Sequence, residues 1–266
     1  MAIPQADDFR AESEALFDLL KPVEDGRFGT PTGFKGWTLD AILTHLYFWN
    51  QMAGFQLTNE ATLHGRMRDA ASAAGGMRAF EAKYCANREG QALLAAWHED
   101  MHATADQFAK ADPKQRLKWA GPDMSARSSI TARLMETWAH GQAIYDALGV
   151  ARQDGDRIRN IVVLGVNTFG WTFRNRKQDV PEPMPHLVLT APSGETWTHG
   201  EPSKTECIEG SATAFCQVVT QTRNIADTDL KATGPIANAW MSIAQCFAGP
   251  PETPPAAGMR RMRETI

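Results

Sequence analysis

From Phe9 to about Gly149 apolar residues recur at helical spacing, and past Gly149 that rhythm gives way to short alternating runs. This change of texture divides the 266-residue chain into a helical first part and a mixed second part. Gly, Pro and Asp collect at 26–36, 75–76 and 112–123 and break the helical part. Four main helices are left, near Ala6–Val23, Leu39–Gln56, Met77–Lys110, which allows an internal break, and Ser125–Leu148. Thr38 and Ser125 can cap the second and fourth, because a hydroxyl there accepts from the unpaired amides of the first turn. Helices so joined predict a four-helix bundle over residues 1–150.

Beyond it, HLVLT and ETWTH flank APSG, which reads as two strands around a tight turn with Gly supplying the positive φ. Ser211–Thr222 and Pro235–Phe247 look helical. Residues 151–250 are therefore expected to form a small α/β domain, followed by a Pro-rich tail over 251–266 that wraps the surface or frays. The fold class expected for the whole chain is α+β.

The formal charge of −4, with no dense run of Lys or Arg, gives no footprint for nucleic acid. No stretch reaches the roughly 20 apolar residues needed to cross a bilayer. The start, MAIPQADDFRAESE, lacks a basic end followed by an apolar run, so no membrane association or export is expected. Cys85, Cys207, Cys216 and Cys246 form no CxxC pair, which suits a reduced, cytoplasmic chain. A small-molecule substrate is the expected partner.

Two groups of residues could bind a metal. HEDMH, from His98 to His102, matches the HExxH of zinc peptidases, in which two imidazoles one turn apart share an ion and the Glu activates water. If Leu94, Trp97, Met101, Ala105 and Phe108 are the buried stripe, however, His98 lies at its edge, His102 lies further out, and Glu99 points to solvent. No Glu follows at a useful distance to serve as third ligand, so a solvated helix edge is expected there. The second group is split. His45 falls among Ile42, Leu46, Trp49 and Met52 on an inward face, and Glu136 and His140 lie one turn apart on the strip carrying Ala143, Ile144 and Ala147. A carboxylate on an apolar strip is costly unless paired or bound to a cation. His45, Glu136 and His140 therefore read either as a metal site of two imidazoles and a carboxylate or as a metal-free buried network.

The pattern GWTLDAILTHL around His45, followed by ETWAHG around Glu136 and His140, resembles the DinB-like superfamily, in particular its mycothiol-dependent maleylpyruvate isomerase branch. The resemblance extends to LVLTAPSGETWTHG and CIEGSATAFCQVVTQTRN, which match the strand, turn, strand and helix of a sterol-carrier-like α/β domain that follows the bundle in that branch. It implies one divalent ion, usually Zn2+, on His45, Glu136 and His140. It also implies a catalytic role for Arg223, near where the isomerases carry an arginine facing the metal, although TQTRNIADTDL departs from their small Gly-Arg turn. On the residues alone, Arg223 reads equally as a cation at a helix C-terminus.

The expected function is that of a divalent-metal-dependent enzyme, a thiol-dependent isomerase or transferase acting on a small electrophilic carboxylate with a low-molecular-weight thiol as cosubstrate. Two other readings stand beside it. Two imidazoles and a carboxylate are also the ligands of non-haem iron oxygenases, and a metal-stabilised module could bind a lipid-like ligand without catalysis.

Overall fold

A computed structural model describes residues 3–85, 88–119 and 123–262, in two compact units, Met1–Ala147 and Leu148–Ile266. The first is helical: α1 (Pro4–Leu20), α2 (Leu39–Thr58), α3 (Glu60–Ala71), α4 (Gly76–Tyr84), α5 (Gly90–Lys110) and α6 (Ala126–Leu148). A minimal antiparallel pair, β1 (Arg116–Leu117) and β2 (Met124–Ser125), precedes α6.

The four long helices α1, α2, α5 and α6 are those expected from the sequence, and the stretch from Met77 to Lys110 is indeed broken, into α4 and α5. Thr38 Oγ1 accepts from Ala41 N at 3.1 Å, and Ser125 Oγ accepts from Ser128 N at 3.1 Å, so both hydroxyls cap as their positions suggested. The sequence reading missed α3. Only Leu63 and Ala70 of that helix are buried, too few for a periodic stripe, and its start rests on Asn59, whose side chain accepts from Thr62 N.

The core is apolar and continuous: α5 lays Leu94, Trp97 and Met101 against α1 and α2, which contribute Phe9, Leu16, Ile42 and Leu46. The α6 helix joins through polar locks as well as apolar packing. The Arg133 guanidinium donates to Asn50 Oδ1 at 3.0 Å, Ser129 donates to Gln56, and Tyr145 donates to the Ala15 carbonyl at 3.3 Å. The smaller helices α3 and α4 cover the far side of α2 through a cluster around Phe48, Met52 and Leu63 that includes Trp49 and Phe80.

The second unit holds α7 (Arg159–Asn167), α8 (Phe169–Asn175), β3 (His186–Thr190), β4 (Thr196–His199), β5 (Cys207–Ser211), α9 (Ala212–Val219), β6 (Lys231–Thr233) and α10 (Pro235–Ile243). Its sheet has the order β4-β3-β5-β6, with β3 antiparallel to β4 and parallel to β5. The turn between β3 and β4 carries Gly194 at φ +88°, the left-handed conformation the sequence called for. Leu187, Leu189, Ile208, Phe215 and Trp240 fill the core. At Gly165 of α7 the helix approaches α9 so closely that an added Cβ would lie 2.8 Å from the Phe215 ring. The Pro-rich tail is tied down as far as it is described: Asn224 Nδ2 donates to the Pro255 carbonyl at 2.8 Å, and Gly258 N donates to the Asp227 carboxylate at 2.7 Å.

Candidate metal centre

Helix α2 presents His45 one turn before Trp49, and α6 presents Glu136 and His140 one turn apart. His140 Nε2 lies 3.2 Å from Glu136 Oε2, and His45 Nε2 lies 3.9 Å from the same oxygen. One donor atom from each residue falls within 4.8 Å of the other two. Donors bound to one tetrahedral zinc at about 2.0–2.2 Å sit roughly 3.3–3.6 Å apart, so the three side chains fit one ion with shifts below about an ångström. The residues drawn together from α2 and α6 are those singled out in the sequence.

The electrostatics call for positive charge between these groups. Burial opposes ionisation of Glu136, but the adjoining imidazoles of His140 and His45 hold its carboxyl well below the usual range. Burial is also the main influence on His140 and lowers its pKa, which favours the neutral imidazole a metal requires. For His45, burial is outweighed by the pull of Glu136 and Glu81, and the pKa rises. Both carboxylates thus favour positive charge at His45.

The surrounding residues fix these groups in place, and the sequence reading had missed most of them. Glu81 of α4, almost fully buried, accepts from His45 Nδ1 at 3.0 Å and from Trp49 Nε1 at 2.9 Å. This leaves His45 Nε2 as the nitrogen turned toward Glu136. A carboxylate on the distal ring nitrogen is the usual support of a metal-binding histidine. Trp37, which precedes α2, lies parallel to the His140 ring, with an interplanar angle of 7° and centroids 5.6 Å apart. The Arg78 guanidinium sits 4.0 Å above the same indole. Arg133, three residues before Glu136, is buried beside it; burial lowers its pKa to about 10, which leaves it charged at neutral pH. Glu81 carried a faint signal, an acid beside Phe80 in an otherwise apolar turn, and Arg133 carried none.

Arg223 belongs to the second unit. The helix expected to run to Thr222 stops at Val219, Gln221 turns left-handed at φ +57°, and Arg223 lies beyond that turn with Nη1 donating to the Thr222 carbonyl at 3.0 Å. It therefore does not end a helix.

HEDMH lies on α5 with Glu99 exposed, as expected. Its surroundings differ from the expectation in one respect: a carboxylate does meet the two imidazoles. Glu14 of α1 lies 3.1 Å from His98 Nε2 and 2.7 Å from His102 Nε2. The packing of α1 on α5 brings this carboxylate from 84 residues upstream of the motif.

Residues 9–145 match the family described as "Mycothiol maleylpyruvate isomerase N-terminal domain". An uncharacterized protein of Mycobacterium tuberculosis, in strains CDC 1551 / Oshkosh and ATCC 25618 / H37Rv, is 38% identical over 249 residues, 93% of this chain and 96% of its own length. Among solved structures, the mycothiol-dependent maleylpyruvate isomerase matches with a TM-score of 0.52 at 17% identity, covering 81% of this chain and 87% of that one. A histidine-to-alanine mutant of that isomerase gives the same values. The likeness at this identity is one of fold, a helical first part followed by a small sheet domain.

Proposed function

The chain belongs to the mycothiol maleylpyruvate isomerase N-terminal domain family, and on that footing we propose that it is a divalent-metal-dependent enzyme, with zinc as the expected ion. It would use a low-molecular-weight thiol to isomerise, or to conjugate, a small electrophilic carboxylate. The observation that carries this reading is the convergence of His45, Glu136 and His140, donor atoms within 4.8 Å, on a spot that draws in positive charge.

A divalent ion held by these three residues would supply a Lewis acid beside which a thiol is available as thiolate at neutral pH. The chain's own residues prepare that site. Glu81 fixes the tautomer and direction of His45, Trp37 holds the His140 ring against rotation, and Glu136 stays ionised. Glu81 and Glu136 are negative and buried Arg133 is positive, so a dication with neutral imidazoles leaves a single positive charge. One anionic guest neutralises it, and a thiolate is such a guest. Addition of the thiolate to an activated double bond, rotation and elimination would complete an isomerisation; release of the adduct would complete a transfer. The family resemblance offers Arg223 as a carboxylate-binding residue, since its planar fork can make two parallel hydrogen bonds to such a group. A thiol cosubstrate and four buried free cysteines accord with a cytoplasmic protein, and among the described residues no helix is long and apolar enough to cross a membrane.

Metal analysis after dialysis against a weak chelator tests the reading. The wild type should keep about one ion, His45→Ala and His140→Ala should lose it, and His98→Ala should keep it. Stoichiometric metal in both of the first two variants would overturn the assignment. Turnover of unsaturated carboxylates that depends on added thiol is the expected activity. A tightly bound lipid without such turnover would favour a binding module, and iron absorption bands in the purified protein would favour an oxygenase.

A further inference from the structure

We propose that Glu14, His98 and His102 form a second, independent site for a divalent transition-metal ion, which pins α1 to α5 and which Arg10 opposes. Their ligand atoms lie within 4.8 Å of one another, as close as those of the first cluster, and the two clusters share no residue. The rings are already oriented. Phe17 of α1 stacks on His98 with centroids 3.7 Å apart and an interplanar angle of 16°, and His98 Nε2 sits 3.1 Å from both Glu14 oxygens. His102, one turn further along α5, brings its Nε2 to 2.7 Å from Glu14 Oε1. The three side chains are 26–37% exposed, so an ion reaches them from solvent without any opening of the fold.

The Nε2 atoms of both imidazoles lie within hydrogen-bonding distance of one carboxylate. One dication would replace these two contacts, with each neutral ring carrying its proton on Nδ1 and an ionised carboxylate as the third ligand. Arg10 stands against that exchange. Its Nη1 donates to His102 Nδ1 at 2.5 Å, while its Nη2 donates to Asp106 Oδ1 at 2.7 Å. As long as the guanidinium occupies Nδ1, the proton of the neutral ring must sit on Nε2, the atom the metal needs. Binding therefore requires that proton to move to Nδ1 and Arg10 to swing away, held by Asp106 alone. The guanidinium charge also repels a dication. The site is thus a binding site and not a peptidase centre, because Glu99, the acid inside HExxH, is exposed and outside the cluster.

Calorimetric titration of Zn2+ into protein that already holds its first ion tests the proposal. One further equivalent is expected in the wild type and in Glu99→Gln, and none in His98→Ala or His102→Ala, with helix content checked by circular dichroism. Arg10→Met should bind the second ion about 10-fold more tightly, the scale of effects from groups supporting a ligand. Co2+ in place of Zn2+ should add visible absorption bands that His102→Ala lacks. His140→Ala should keep the second equivalent while losing the first, so failure of one site is read separately from failure of the other. Binding of the second equivalent by a His98→Ala, His102→Ala double variant, or by neither the wild type nor Arg10→Met, would overturn the site. Equal affinity in Arg10→Met and the wild type would overturn the role given to Arg10.

Discussion

Glu81 and His45 meet at 3.0 Å, carboxylate oxygen to Nδ1, and this contact determines which imidazole nitrogen faces Glu136. The two residues are 36 positions apart, on helices that touch only because α4 folds back over α2. Glu81 also accepts from Trp49, so its carboxylate is held from two directions.

Glu81→Gln keeps the shape but gives up the charge and leaves the amide free to flip. Metal affinity at the first cluster is expected to fall about 10–100-fold with helix content unchanged, as measured by competition with a chromophoric chelator. Wild-type affinity would mean that Glu81 is not a support for His45.

Trp37→Leu removes the ring lying on His140 and the platform under Arg78. A loss of roughly 1–3 kcal/mol is expected in chemical denaturation, since both the aromatic contact and the cation over the indole disappear. An Arg78→Ala variant should lose about 1 kcal/mol or less of the same stabilisation, because only the cation is removed.

Asp100 supplies the pH dependence. Burial, only partly offset by a hydrogen bond from Gln51 and by the charge of Arg133, raises its pKa to about 7. One of its oxygens is buried without a partner. The unfolded chain titrates this group near 3.9, so between about pH 4 and 7 the folded protein binds more protons than the unfolded one. Stability from this group is thus complete below about pH 4 and declines as pH rises through 7. Asp100→Asn should be more stable than the wild type by roughly 1–3 kcal/mol near pH 8 and nearly equal to it near pH 4. Thermal melts across that range check the sign.

Gly165→Val forces a side chain into the space of the Phe215 ring. The second unit should lose roughly 1–3 kcal/mol through overpacking, while metal content at the first cluster is unchanged. Parallel melting and metal analysis separate the two readouts.

How far the sequence could be read depended on whether a residue's role was local. The cap at Thr38, the turn at Gly194 and the one-turn spacing of Glu136 and His140 are all settled within a few positions, and each was legible. His45 was legible because an imidazole interrupts an apolar stripe on α2. Glu81 and Glu14 act across helix contacts that no spacing encodes, since their partners lie 36 and 84 positions away. Trp37 sits just before α2, and its contact with His140 on α6 is likewise made across the bundle. The α3 helix buries too little apolar surface to leave a pattern, and α9 ended early because Gln221 takes a left-handed conformation seldom adopted by glutamine.

The polar lock of Arg133 on Asn50 spans 83 positions of chain, and Tyr145 reaches the carbonyl of Ala15 across 130. Such pairings close long loops in the first unit, and closure entropy must be met before they return any stabilisation. During synthesis α2 emerges long before α6, so Asn50 and His45 must wait in water for partners that do not yet exist. The chemically interesting part of this unit is therefore completed last. A ribosome-bound chain stalled before α6 would carry a helical scaffold whose reactive corner has yet to be built.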